Sequence, residues 1–169
     1  MATLIPLDSV DPALVETLLD RAFEPARHGR TAYKVRAGVD WLPALSFAAL
    51  DADEQLVGTI QCWPVALTDP AGKRHPMVMV GPVAVLPERQ GEGFGKVLMT
   101  ASLGALSPQA PLPQVMVGDP DYYERFFGFS AKHTGGWTLP GPWDPARLLC
   151  RTDRPDILPR AGALGPWRD

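Results

Sequence analysis

Ten consecutive residues near the middle of the chain, Met77 to Leu86 (MVMVGPVAVL), include no charged side chain. A strand with one face in water alternates apolar and polar residues, whereas a strand covered on both faces is apolar almost throughout. The run therefore predicts a strand at the centre of a sheet, with other elements packed on both faces of that sheet.

A helix is predicted before this strand, in the segment SVDPALVETLLDRAF. Asp11 is a suitable N-cap, and Pro12 is favoured at the first helical position. Leu14, Leu18 and Ala22 recur at the helical period and share one face.

The chain between this helix and the central strand predicts two further features. Residues 26–41 are polar, basic and interrupted by two glycines, which indicates a short second helix between loops. Two apolar runs, Leu45–Leu50 and Leu56–Leu67, flank the turn-rich segment Asp51–Gln55 and predict a β-hairpin.

The periodicity changes after the central strand. From Gly93 onward, apolar residues recur on one helical face: Phe94, Val97, Leu98, Ala101 and Ala105. Residues 113–119 predict another buried strand, and residues 120–127 predict a short helix that ends at Gly128. A further strand is expected after Phe129.

The last part of the chain, residues 134–169, is rich in proline and glycine, which excludes long helices there. Within it, residues 146–152 predict one more strand. The order of helices and strands predicts a mixed α/β layer structure that forms a single domain over residues 1–169.

Composition excludes several classes of protein. The chain has 169 residues, 46% of them hydrophobic and 21% charged, and its formal net charge is −3. We therefore expect a globular protein that binds neither nucleic acid nor membrane. The N-terminus lacks the features of a signal peptide, so we expect a cytoplasmic location. Two cysteines without metal-ligand spacing predict neither a metal site nor a disulfide framework.

A glycine-rich stretch, RQGEGFGK, joins the central strand to the following helix. Gly91, Gly93 and Gly95 let a ligand approach the helix N-terminus, where free amides attract anions, and Lys96 adds a cation. A turn without a ligand is the alternative. The Walker pattern fails because Val97 follows Lys96, and the dinucleotide fingerprint fails on glycine spacing.

Two ordered blocks of the sequence resemble one protein family. The first, Gly81–Met99 (GPVAVLPERQGEGFGKVLM), contains Gln-x-x-Gly-x-Gly at Gln90–Gly95. The second, Val117–Phe129 (VGDPDYYERFFGF), follows in the expected order, and the tail at Gly136–Leu149 is similar as well. The chain resembles the GCN5-related N-acetyltransferases (GNAT), in particular a bacterial subgroup of that family.

The resemblance implies a fold and a cofactor. The GNAT fold has a central, mostly antiparallel mixed sheet of about six to seven strands, flanked by helices and splayed between the fourth and fifth strands. The co-substrate is acetyl-CoA. Its diphosphate is expected on the glycine loop and its pantetheine arm beside the central strand, which assigns cofactor binding to these residues: Val83, Ala84, Val85, Gln90, Gly91, Glu92, Gly93, Phe94, Gly95 and Lys96.

The resemblance also implies a catalytic acid that protonates the departing thiolate. Family members commonly use a tyrosine on the helix after the next strand, which makes Tyr123 the first candidate and Tyr122 the second. This chain has one more phenylalanine before Gly128 than the corresponding block of the subgroup it resembles. The extra residue leaves open whether Tyr123 or Tyr122 takes the role of the acid. No general base is evident: Asp119 and His75 are possible, but each is more simply a cap or a loop residue, and water is the alternative.

The implied reaction is direct transfer of an acetyl group to an amine in a ternary complex, by a monomer or homodimer. A basic, aromatic-bearing stretch favours an acidic acceptor, although a solvated helix face explains the same residues: Arg27, His28, Arg30, Tyr33 and Arg36. The alternative function is a catalytically inactive CoA-binding sensor or interaction module. A nucleotide-binding protein is disfavoured by the second block.

Overall fold

The predicted central strand is β4, which spans Arg74–Val85 and starts three residues before the apolar run. The structure is a computed structural model that describes residues 2–107 and 111–168. In β4, Met77, Val78, Met79 and Val80 are consecutive buried residues. Both faces of the strand are therefore covered over this stretch, as the apolar run predicts.

In the part of the chain that the structure describes, seven further strands join β4 in one sheet: β1 (Thr3–Pro6), β2 (Phe47–Leu50), β3 (Leu56–Thr68), β5 (Gln114–Val117), β6 (Trp137–Thr138), β7 (Leu148–Arg151) and β8 (Gly162–Pro166). The strand order is β1-β2-β3-β4-β5-β7, with β8 beside β3 and β6 beside β8. The β1/β2, β2/β3, β3/β8 and β5/β7 pairs are antiparallel, whereas β4/β5 and β6/β8 are parallel. This mostly antiparallel mixed sheet, flanked by helices, confirms the predicted fold class.

Within the described residues, four α-helices accompany the sheet: α1 (Pro12–Phe23), α2 (Thr31–Val35), α3 (Phe94–Gly104) and α4 (Pro120–Phe127). Helix α1 starts as the sequence predicts, because the Asp11 side chain accepts a hydrogen bond from the amide of Ala13 at 2.9 Å. The buried face of α1 is rotated relative to the predicted one. Leu18 is buried, but Leu14 is 55% exposed and Val15 takes the inner position.

The described residues form two compact units. The first contains residues 2–29, 41–62 and 81–107, and the second contains residues 30–40, 63–80 and 111–168. The core of the first unit is built from Leu7, Val15, Leu18, Leu19, Ala48 and Ala84. The core of the second is built from Val35, Val65, Leu67, Met77, Met79, Val115, Trp137, Leu139, Leu148, Cys150 and Leu164.

The sequence pattern does not reveal the short strands β1, β6 and β8. The strand expected after Phe129 is reduced to one isolated bridge, between Ser130 and Cys150. The predicted strand at 146–152 is present as β7, preceded by a 3-10 turn at Pro145–Arg147. None of the helices in the described part of the chain has the length and apolar character needed to cross a membrane.

Candidate active site

The connection from β4 to α3 places a glycine loop directly before a helix N-terminus. After Val85, the amide of Leu86 donates to the carbonyl of Val57 at 2.9 Å, which holds the exit from β4. Gly91 has φ 86° and Gly93, the N-cap of α3, has φ 92°. Residues with a side chain rarely adopt these angles, so both turns depend on glycine.

The first turn of α3 leaves backbone donors available. The amide of Val97 donates to the carbonyl of Gly93 at 3.2 Å. Within residues 2–107 and 111–168, the amides of Gly91, Gly93 and Gly95 donate to no protein acceptor. Free amides at the positive end of a helix attract an anion, so the loop has the chemistry of a phosphate site.

The three glycines differ in their surroundings. A Cβ added to Gly91 or Gly93 meets no heavy atom within 4 Å, so the space around these two residues is open. A Cβ added to Gly95 lies 4.0 Å from Val83 Cγ1 and from Val85 Cγ2. The first turn of α3 therefore lies against the end of β4, on the face that Val83 and Val85 share.

The other residues of the loop differ in their contacts and in their burial. The Gln90 side chain donates from Nε2 to the carbonyl of Val85 at 3.4 Å, which ties the start of the loop to the end of β4. Phe94 is buried, whereas Glu92 and Lys96 are exposed. The loop thus has a buried anchor at the helix start and charged side chains on its outer surface.

Arg89 is held between two carboxylates. Its Nη1 donates to Asp51 Oδ2 at 2.6 Å, and its Nε donates to Glu92 Oε2 at 2.8 Å. The hydrogen bond from Arg89 lowers the pKa of Glu92, and backbone hydrogen bonds from Gln55, followed by the Arg89 bond, lower the pKa of Asp51. Both carboxylates are therefore ionised at neutral pH.

The stretch of β4 assigned to pantetheine has an alternating burial pattern. Ala84 is fully buried in the core of the first unit, whereas Val83 and Val85 are half-buried. The pairing of β4 with β5 extends only to Met79 and Val115, before Pro82. Pro82 therefore interrupts no hydrogen bond of that pair.

Both candidate tyrosines lie on α4. Asp119 caps this helix by accepting a hydrogen bond from the amide of Asp121 at 3.0 Å. Gly128, with φ 75°, ends it, and the amide of Phe129 bonds back to the carbonyl of Tyr123 at 3.2 Å. The helix continues without a break through the extra phenylalanine before Gly128.

The two tyrosine rings meet edge to face, with centroids 4.9 Å apart. The Tyr123 ring also packs against Gly118: a Cβ added to that glycine lies only 2.7 Å from Tyr123 Cε2. Burial raises the pKa of Tyr123, with smaller contributions from Tyr122 and Asp119, and burial also raises the pKa of Tyr122. Both phenols are therefore protonated at neutral pH, the state that a general acid requires.

The two candidate bases have structural partners. Asp119 is the cap of α4, and His75 contacts Asp69 with its Nε2 2.9 Å from Oδ2, beside a hairpin turn.

Cys62 is 1% exposed, and burial raises the pKa of its thiol to about 12. A thiol in this state is a poor nucleophile at neutral pH, so Cys62 is a packing residue.

The basic stretch before β2 is divided between different environments. Arg27 is 1% exposed and forms ion pairs with Glu16 and Asp20 of α1, so it anchors the chain that leaves this helix. Arg36 is 5% exposed, and its guanidinium lies 4.0 Å from the ring centroids of both Tyr33 and Trp63. Arg27 and Arg36 are therefore not part of a solvated helix face.

Sequence reasoning did not identify two features of the site. The ion pair between Arg89 and Asp51 joins residues 38 positions apart in the chain, and no local pattern marks that contact. The contact of Gly118 with Tyr123 was also missed. The signal for it was present in the second block, where a glycine stands five residues before the tyrosine.

The fold and the glycine loop together define an α/β protein that presents the amides of a helix N-terminus to an anion. A family model described as an acetyltransferase (GNAT) domain matches residues 13–131. The chain belongs to the GNAT acetyltransferase family. No curated protein sequence shows significant similarity to the chain.

Solved structures with the same fold include bacterial and plant acetyltransferases. The GNAT family N-acetyltransferase YhbS from Escherichia coli, in complex with CoA, has a TM-score of 0.71 at 24% identity, over 99% of this chain and 89% of that chain. A GNAT family acetyltransferase from Brucella melitensis, in complex with acetyl-CoA, has a TM-score of 0.64 at 28% identity, over 94% and 92%. Naa50 from Arabidopsis thaliana, in complex with a bisubstrate analogue, has a TM-score of 0.53 at 18% identity, over 88% and 95%.

Proposed function

We propose that this chain is an acetyl-CoA-dependent N-acetyltransferase, formed by residues 1–169 as a single catalytic domain, in which the glycine loop binds the diphosphate of the cofactor. The observation that carries the proposal is that the amides of Gly91, Gly93 and Gly95, at the start of α3, donate to no acceptor within the described residues. Complexes of the E. coli and Brucella relatives with CoA and acetyl-CoA support the choice of ligand.

The remaining cofactor contacts follow from the chain around the loop. Gln90 ties the loop to the end of β4, Phe94 anchors its helix, and Lys96 places a cation on its outer surface. The pantetheine arm lies along Val83, Ala84 and Val85 and bonds to their backbone in the manner of an added strand. A backbone amide of this segment polarises the thioester carbonyl.

Tyr123 is the proposed general acid. The amine nitrogen attacks the thioester carbon, a C–N bond forms, and the C–S bond breaks to release the CoA thiolate. Tyr123 donates its phenolic proton to that thiolate, and its raised pKa keeps the proton available at neutral pH. The acceptor amine is neutral when it attacks and gives its proton to water, and the Tyr123 phenolate regains a proton from water.

One observation favours a second candidate, a CoA-binding sensor or interaction module without catalysis. Both polar groups considered as a base, Asp119 and His75, have structural partners in the described part of the chain. A site without a protein base depends on an acceptor that is already neutral, or on water. A module that only binds CoA needs neither.

The test has a binding step and a catalytic step. We expect acetyl-CoA to bind in the micromolar range and ATP and NAD to have no effect; binding of ATP or NAD instead of acetyl-CoA contradicts the proposal. Release of free thiol over a panel of amines then measures catalysis. Tyr123→Phe is expected to lower kcat at least tenfold, with Tyr122→Phe as the matched control. Binding without turnover of any amine favours the sensor.

A further inference from the structure

The glycine loop contains an anion of its own. Glu92 directly precedes Gly93, the N-cap of α3, and its side chain is 47% exposed. The amides and the helix dipole that attract a phosphate also attract a nearby carboxylate. A glutamate at this position places a negative charge beside Gly93, and that charge repels an anionic ligand.

Arg89 engages that carboxylate through two hydrogen bonds. Its Nε donates to Oε2 of Glu92 at 2.8 Å, and its Nη2 donates to Oε1 at 3.2 Å. The paired geometry uses both oxygens of the carboxylate and fixes its orientation, in addition to neutralising its charge. Arg89 thus engages both carboxylate oxygens of Glu92.

Arg89 is itself held in place from other directions. Its Nη1 donates to Asp51 Oδ2 at 2.6 Å, and Asp51 is fixed in the β2–β3 turn by amides of Asp53 and Gln55, at 2.9 and 3.0 Å from Oδ1. The guanidinium carbon lies 5.3 Å from the centroid of the buried Phe94 ring. The arginine is therefore preorganised by contacts that do not involve Glu92.

We propose that Arg89 is a positioning residue for the cofactor: it holds and neutralises Glu92, so that the α3 amides remain open to a diphosphate. This inference rests on the proposed function, because it takes acetyl-CoA as the ligand of the loop. Arg89 acts through Glu92 and needs no contact with the cofactor.

A double-mutant cycle tests the proposal by calorimetric titration of the full chain with acetyl-CoA. Arg89→Gln leaves Glu92 unneutralised, and we expect Kd to rise about tenfold while kcat at saturating acetyl-CoA stays within twofold. Adding Glu92→Gln to Arg89→Gln removes the competing anion, and we expect Kd to return to within twofold of the wild type. A higher Kd in Glu92→Gln alone contradicts the proposal, because Glu92 itself would then contribute favourably to acetyl-CoA binding.

A matched control removes another paired arginine. Arg154 forms two hydrogen bonds with Asp156, at 3.0 and 2.8 Å, and Arg154→Gln should leave Kd unchanged. If Arg89→Gln does not fold, as judged by its melting curve, Arg89→Lys and Arg89→Lys/Glu92→Gln provide the same comparison. Lysine retains the charge but loses the paired hydrogen bonds to Glu92. The Kd of Arg89→Lys for acetyl-CoA is therefore expected to lie between those of the wild type and Arg89→Gln.

The outcomes separate this inference from the proposed function. An affinity that is equally weak in the single and double variants overturns the inference, because Arg89 then acts on the loop or the ligand independently of Glu92. An unchanged Kd in Arg89→Gln overturns it as well. A wild-type chain that does not bind acetyl-CoA overturns the proposed function and, with it, the role of Arg89.

Discussion

Replacement of Gly118 by alanine tests the catalytic role of Tyr123 without altering the tyrosine. The new Cβ would lie 2.7 Å from Cε2 and 2.8 Å from Cδ2 of the Tyr123 ring. Since carbon atoms pack at about 3.5 Å or more, the ring must move by about 0.8 Å from its 2.7 Å contact. A displacement of this size in a catalytic group costs up to about 100-fold in rate.

We therefore expect Gly118→Ala to lower kcat for thiol release by 10-fold to 100-fold, with the Kd for acetyl-CoA within twofold of the wild type. The backbone at Gly118 does not have positive φ, so alanine introduces no backbone strain of its own. Gly135→Ala is the matched control, because a Cβ there meets nothing within 4 Å. A Gly118→Ala variant with native stability and unchanged kcat would refute the assignment of Tyr123 as the acid.

Three further changes have defined outcomes. Gly93→Ala places a side chain at φ 92°, which costs about 1–2 kcal/mol of strain, so acetyl-CoA affinity should fall about tenfold in titrations; unchanged affinity contradicts the role of this turn. Asp11→Ala removes the cap of α1 and should lower the free energy of unfolding, measured in urea, by about 1 kcal/mol. Asp8→Ala, at an exposed position, is the control, and equal effects of the two substitutions contradict the capping role of Asp11. Burial raises the thiol pKa of Cys62 and Cys150 to about 12, so a thiol reagent at pH 8 should modify neither in the native chain and both after denaturation; rapid native labelling contradicts their burial.

The elements with strong local signals were predicted from the sequence. The apolar run identifies β4 because only a strand covered on both faces lacks polar positions over such a length. The start of α1 was predictable because its capping hydrogen bond is made within three residues. Glycine spacing located the start of α3, since positive φ at Gly91 and Gly93 is a local requirement of the backbone.

Features that depend on distant contacts were not predictable. Strand β8 forms because residues 163–166 pair with residues 65–68, almost a hundred positions earlier in the chain. The buried face of α1 is centred between Val15 and Leu18, and Leu14 is exposed, because Leu7 and Ala48 complete that core from elsewhere. At the candidate site, the ion pair between Asp51 and Arg89 could not be predicted either, because the two residues lie 38 positions apart in the chain.

The central claim, that the α3 amides bind the diphosphate of CoA, can be measured residue by residue. In ¹⁵N-resolved NMR spectra, addition of CoA should shift the backbone amide signals of Gly91, Gly93 and Gly95 most strongly, toward the positions typical of hydrogen-bonded amides. Pantetheine without the nucleotide diphosphate should leave these three signals nearly in place. Saturating CoA that shifts other amides and leaves these three unmoved would contradict the account.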